Sequence, residues 1–284
     1  MKKIVLIAAV LFGITTLQAQ VTEPGLAYVK YHIKFANDTN NRAKYFETDI
    51  YTVIGKEYSV YTMRLPEPPA PETNLSSGGT VRVTSNVSYA AGAPPIMEPF
   101  FYKFPSNELI SIGRFGSDFM AIVDQVPTKW NITEETKEIG GYDAQKATIH
   151  WKGRDYEVWF TKEIPFATGP WKFVGLPGLV LEVKDKSGDI HIEYAGFDKF
   201  DEPRPFTLYY STPKLVSYTD FVKTRKQFQD NAGSHLDNML NSNPGAKITI
   251  KGKDGQEMSI DEMKAMMKKS AEDGKKRNNN PVEF

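Results

Sequence analysis

Between Ala27 and Phe35 the side chains alternate. Val29, Tyr31, Ile33 and Phe35 fall to one side, and Lys30, His32 and Lys34 to the other. A period of two suits an extended strand with one dry face and one wet face, whereas a helix would scatter both sets around its circumference. Ala144–Trp151 repeats the pattern, with Ala147, Ile149 and Trp151 set against Lys146, Thr148 and His150, and Gly153-Arg154 links it to Tyr156, Val158 and Phe160 as a meander. The expected fold is therefore mainly β: a bent antiparallel sheet or half-barrel, with helices as a C-terminal accessory.

Further strand signals fall at Tyr45–Ile54 and Glu57–Met63, separated by Gly55-Lys56, and at Phe100–Phe104, Leu109–Ile112 and Phe119–Val123. The glycine-rich run Gly113 to Ser117 reads as a turn between strands. One hairpin can be placed in register from its pattern. With Asp185–Gly188 as the turn, Val183 faces Ile190 and Leu181 faces Ile192, while Lys184 meets Asp189 and Glu182 meets His191. Residues 64–99 hold seven of the eighteen prolines together with Ser and Gly clusters, and read as a flexible insertion with a short strand at Val81–Val83. From residue 217 the pattern turns helical and then to a hairpin. Phe221, Phe228, Leu236, Met239 and Leu240 recur at helical spacing with a break at Gly233, and Lys247–Ile250 pairs with Gln256–Ser259 around Asp254-Gly255. Ser259 with Glu262 gives a capping-box signal.

Lys2 and Lys3, an apolar run from Ile4 to Ile14, and Leu17-Gln18-Ala19 together read as a secretory signal peptide over residues 1–19. Its removal would leave one β-rich domain, residues 20–284, with 33 bases against 35 acids. That near-neutral balance gives no electrostatic basis for nucleic-acid binding. One local exception is Lys264–Arg277, with six bases and two acids, which reads as a solvated face. No later stretch is long and apolar enough for a transmembrane helix, so no membrane anchor is expected after signal removal. The chain contains no cysteine, which excludes disulfides, thiolate metal sites and cysteine nucleophiles.

Motifs that carry chemistry are scarce. The four histidines form no His-Glu-x-x-His pattern, and the serine-hydrolase elbow, the phosphate-cradling loop and the dinucleotide fingerprint are all missing. No cofactor is implied. His191 and Glu193, two apart on one strand face, are a candidate for part of a metal site. Asp155 and Glu157 read as exposed strand acids. Trp159 lies on the polar side of its strand, a candidate platform for a sugar or peptide against the alternative of burial under a neighbouring element.

Residues 160–183 are unlike ordinary filler. Gly169-Pro170 and Pro177-Gly178 sit among apolar residues, and Leu176-Pro177-Gly178-Leu179 suits a type II turn that feeds a buried strand. Trp171, Phe173 and Leu176 would pin a crossing between layers, and Trp159, Trp171 and Phe173 supply the candidate binding surface. Gly175-Leu176-Pro177-Gly178-Leu179-Val180 resembles, with one residue changed, the hexamer after which the GLPGLI family is named. Ile139-Gly140-Gly141-Tyr142, Gln145-Lys146-Ala147, Trp159-Phe160-Thr161, Ile164-Pro165 and Gly169-Pro170 follow the family's pattern in order, and Asn280-Pro281-Val282-Glu283 is similar to its usual ending. Ala144 departs from it, standing where many members carry Cys. The resemblance implies a secreted protein of Bacteroidetes-type bacteria, of unestablished function and with no catalytic residues to carry over. The N-terminal part is also faintly similar to the bowl-shaped domain of a bacterial peptide-N-glycosidase.

Three functional expectations follow. The first is a non-catalytic envelope or secreted protein that binds a partner or apolar ligand on its concave side or at the Gly-Pro turns. The second is a peptide- or glycan-directed hydrolase using Glu182, His191 and Glu193. The third is an assembly helper partnered with an outer-membrane protein.

Overall fold

The computed structural model describes residues 19–68, 96, 99–115, 118–210, 216–220 and 223, and further along the chain 250–251, 257–259, 261–262, 265, 269 and 280. Residues 1–18 of the signal segment expected at 1–19, the strand expected at 81–83 and the break expected at Gly233 lie outside the described residues.

The protein is built on one open sheet of twelve strands. Its first half comprises β1 (Ala19–Phe35), β2 (Phe46–Ile54), β3 (Tyr58–Thr62), β4 (Phe100–Lys103), β5 (Glu108–Phe115) and β6 (Asp118–Asp124). The second half comprises β7 (Asn131–Ile139), β8 (Tyr142–Trp151), β9 (Arg154–Thr161), β10 (Leu179–Asp185) and β11 (Ile190–Tyr210), with β12 (Val216–Ser217) returning beside β6. Two antiparallel meanders meet where β1 pairs with β11, so the order runs β12-β6-β5-β4-β3-β2-β1-β11-β10-β9-β8-β7. Among the described strands, only β12 against β6 is parallel.

β1 lies at the centre of the sheet, and its alternation decides which face is dry. Val29, Tyr31, Ile33 and Phe35 are fully buried, while Lys30, His32 and Lys34 stay partly exposed. Two register breaks against β11, at Gly25/Ala27 and Lys30/Tyr31, interrupt the ladder, and bulges of this kind bend a strand and increase its twist. Between β8 and β9, Lys152 and Gly153 hold φ of 47° and 81°. Two successive positive φ values match a hairpin turn to the right-handed twist of its strands.

The hairpin of β10 and β11 corrects the expected register. Val183 pairs with Ile192, Lys184 with His191 and Glu182 with Glu193, two residues beyond the expected pairing. An even shift keeps each side chain on its expected face. Asp185 and Asp189 are drawn inward to Arg154, so the loop is longer than a tight turn over Asp185–Gly188 would allow.

Residues 162–178 form no strand. They lie over the dry face of the sheet and fill it: Trp171, Phe173, Val174 and Leu176 are buried with Tyr31, Phe160 and Val180 in the main core. In the C-terminal part, β13 (Ile250–Lys251) pairs with β14 (Glu257–Met258), Ile250 opposite Met258 and Lys251 opposite Glu257; residues 247–249 of the expected first strand lie outside the described residues. The capping box also forms: Ser259 Oγ accepts from the Glu262 amide at 3.2 Å, and Glu262 accepts from the Ser259 amide at 2.8 Å. Tyr218–Asp220 and Lys223 are helical, with Ser217 Oγ accepting from the Asp220 amide at 3.1 Å, and the rest of the expected 219–241 helix lies outside the described residues.

Candidate binding site

The wet face of the second meander carries the densest chemistry. Register aligns two rows across neighbouring strands. One runs Asp49, His32, Glu193, Glu182, Trp159, Lys146, and the other Glu47, Lys34, His191, Lys184, Glu157, Thr148. Antiparallel pairing puts such partners about 5 Å apart, so opposite charges in register meet without folding any loop.

Glu182 sits at the centre. Its side chain is 11% exposed and receives Lys137 Nζ at 2.6 Å on one oxygen and Lys184 Nζ at 2.5 Å on the other. His191 Nε2 lies 3.5 Å from Glu182 and 3.2 Å from Glu193, with hydrogen-bond geometry to neither. Burial pushes the Glu182 carboxyl up, but contacts with His191, Lys137 and Lys184 outweigh it and hold it well below the usual carboxylate range.

This fixes the sign of an acid effect. A carboxyl whose pKa is lowered by folding stabilises fully above its unfolded value, about 4.3, and loses that stabilisation as pH falls below it. Glu182→Gln should therefore cost about 2 kcal/mol at pH 7, since Lys137 and Lys184 lose their shared counter-charge. Its urea-unfolding stability should fall less steeply than the parent's between about pH 5 and 3. Parallel pH slopes for the two proteins would refute this.

Trp159 belongs to the same network. Lys137 Nζ stands 4.3 Å from its ring centroid and Lys146 Nζ 5.8 Å, while its indole N–H donates to Glu157 at 3.0 Å. Lys146 in turn joins Glu157 at 2.8 Å and Glu135 at 3.1 Å. Hydrogen bonding to Lys146 holds Glu157 below its usual range.

Beside this face, at the β8–β10 end, lies a groove of about 600 Å³, bordered by Lys129, His150, Asp155, Glu157, Lys184 and Lys186. Both signs of charge line it, and its largely exposed His150 and Asp155 pair at 2.6 Å. Nothing in a single strand's pattern marks it, because its walls come from separate elements.

The expected binding surface on Trp159, Trp171 and Phe173 is corrected. Their exposures are 7%, 1% and 0%, so none offers a ring face to solvent. Lys137 and Lys146 roof Trp159, and Trp171 packs on Phe173 at 5.4 Å in the core. Residues 162–178 pack against the dry face of the sheet beside them.

The Gly-Pro turns are structural in their surroundings. Gly169, Pro170, Leu176, Gly178 and Leu179 are buried, and Gly175 and Pro177 are exposed. The Gly169 carbonyl accepts from Thr52 Oγ1 at 2.9 Å, fastening the segment to β2. Leu176–Leu179 is not the expected type II turn. The Gly178 amide donates to the Leu176 carbonyl at 2.8 Å, a tighter three-residue turn about Pro177, and the Leu179 amide is taken by Ile164 O at 3.1 Å. Among the described residues no group of three His, Cys, Asp or Glu side chains is placed to share a metal; His191 and Glu193 meet, with Glu182 committed to lysines.

Residues 152–182 match a family described as a protein of unknown function (Porph_ging). That span opens at the β8–β9 turn and ends within β10, so it contains Arg154, Trp159, Glu182 and both proline turns. No curated protein sequence matches the chain. Two solved structures of the peptide-N-glycosidase PNGF-II are similar. In the P21 form the identity is 14% and the TM-score 0.47, with 70% of this chain aligned to 33% of that one. In the C2 form the values are 16% and 0.43, with 62% aligned to 28%. The chain thus spans about a third of that protein's length.

Proposed function

We propose that the chain is an exported, non-catalytic binding protein of the bacterial cell envelope that holds a polar glycan or peptide in the groove beside the charged face. The observation that carries the reading is the commitment of Glu182. Two ammonium groups keep it ionised, so it is poorly placed to deliver a proton, whereas fixed charges of both signs beside an open groove suit recognition. The basic, apolar and small-residue order of residues 1–19 supports export, and the hexamer Gly175–Val180 with its companion motifs supports placement among GLPGLI proteins.

His150→Ala and Lys186→Ala test the groove without touching the core, since both positions are exposed. Envelope glycans and peptides screened against the parent should yield a saturable ligand, and each variant should bind it roughly ten-fold more weakly. Equal affinity in all three proteins would remove the groove from the function.

A hydrolase is the second reading, because the structure does bring His191 against both Glu182 and Glu193. It requires turnover of a peptide or glycan that disappears in His191→Ala; binding without turnover would end it. An outer-membrane assembly role is a third, and crosslinking to a β-barrel protein would reveal it.

A further inference from the structure

Away from the charged face, one side chain from the far end of the chain is read in detail by the sheet. Asn280 is 4% exposed. Its Nδ2 donates to the Ala36 carbonyl at 2.6 Å, its Oδ1 accepts from Arg154 Nη2, and its backbone amide donates to Asn37 O at 3.3 Å. Three contacts thus fix both ends of the amide and the adjoining main chain.

The cradle residues also hold one another. Arg154 is held by Asp185 at 2.6 Å and Asp189 at 3.4 Å, Ser187 lies against both carboxylates, and Arg42 pairs with Asp189 from the 3-10 turn at Thr39–Asn41. The Ile190 amide donates to Asp185 at 2.8 Å, locking the loop. Two arginines face two aspartates, so formal charge balances and the site suits a neutral amide. An Asp in place of Asn280 would set carboxylate oxygen against the Ala36 carbonyl and add a third acid. A Gln would be one methylene too long, and an Ala would leave the Ala36 carbonyl unanswered. Asn280 and the cradle together border an open cleft of about 480 Å³.

We infer that this cradle is an asparagine-reading peptide site, occupied here by Asn280 of the same chain and able to take the same segment from a second copy. Recognition lies in side-chain and main-chain hydrogen bonds on elements other than the one bearing Asn280, so a covalent link to the guest is not part of it.

The test uses the full chain carrying Asn280→Ala, with a labelled peptide of sequence 277–284 (Arg277 to Phe284) and versions carrying Asn280→Asp or Asn280→Ala. Fluorescence anisotropy should show saturable binding of the Asn peptide to the variant. Both altered peptides should bind roughly ten-fold or more weakly, as should the Asn peptide to the parent chain, whose site is occupied. Equal binding of the three peptides, or none, overturns the inference. Should Asn280→Ala fail to fold alone, refolding it with each peptide gives the same reading. Recovery with the Asn peptide only supports the site, and recovery with all or none refutes it.

Discussion

Gly178→Ala should unfold the protein or lower its stability by about 3 kcal/mol or more, the largest loss expected from any single methyl group added to this chain. A Cβ at Gly178 would stand 1.9 Å from the Thr161 carbonyl oxygen and 2.7 Å from its carbon. Those are backbone atoms at the end of β9, so no side-chain rotation relieves the clash. The backbone adds its own restriction, since φ of 148° at Gly178 is one that side-chain-bearing residues rarely adopt. The neighbouring chain has little slack, because Trp171 already holds φ of 49° and the Leu179 and Val180 amides are committed to Ile164 and Thr168. Pro177→Ala is the informative contrast. Pro177 is exposed and its ring presets the turn, so its loss should cost about 1 kcal/mol or less through chain entropy. Urea unfolding of both variants checks the ranking, and near-equal midpoints would refute it. The Gly-Pro turns would then owe their severity to how residues 162–178 are seated on the dry face.

Much of this architecture was legible where a strand has one dry face. Val29, Tyr31, Ile33 and Phe35 announce β1, and Ala147, Ile149 and Val158 announce the β8–β9 hairpin, because alternation is a local signal. β7 gave no such signal. Its sequence, Asn-Ile-Thr-Glu-Glu-Thr-Lys-Glu-Ile, runs along a sheet edge with no fully buried residue, so sheet pairing rather than burial defines it. Trp159 followed the polar parity of its strand correctly, yet it is buried. Lys137 and Lys146 lie 22 and 13 positions earlier, and only the sheet brings them over its ring. The β10–β11 register missed by two for a related reason: Asp185 and Asp189 look like turn residues until Arg154 claims them. The Glu182, His191 and Glu193 grouping was legible because face parity survives an even slip. The groove and the Asn280 cradle were not, since each is assembled from segments with no shared pattern.

Arg154→Met should be the most damaging change at a buried charge, costing about 3–5 kcal/mol. Its guanidinium is 7% exposed and lies between Asp185 and Asp189, whose side chains are 1% and 4% exposed. Removing it leaves Asp185 with the Ser187 hydroxyl and the Ile190 amide but no cation among the described residues, and Asp189 with Arg42 and the Ser187 hydroxyl. It also deprives Asn280 of the donor to its carbonyl oxygen. Methionine retains much of the buried stem, so the loss reads charge and hydrogen bonding rather than a cavity. The double change Arg154→Met with Asp185→Asn separates two causes. If the penalty is chiefly a buried unpaired carboxylate, neutralising Asp185 should recover about half of it, because an amide needs partners but no counter-ion. If the double variant is no better than Arg154→Met, the loss lies in the hydrogen-bond frame that holds the β10–β11 loop and Asn280 together. Thermal and urea unfolding of the four proteins in the cycle distinguishes the two, and a loss below about 1 kcal/mol for Arg154→Met would refute both, since a buried pair that costs so little to break is behaving as a solvated surface one.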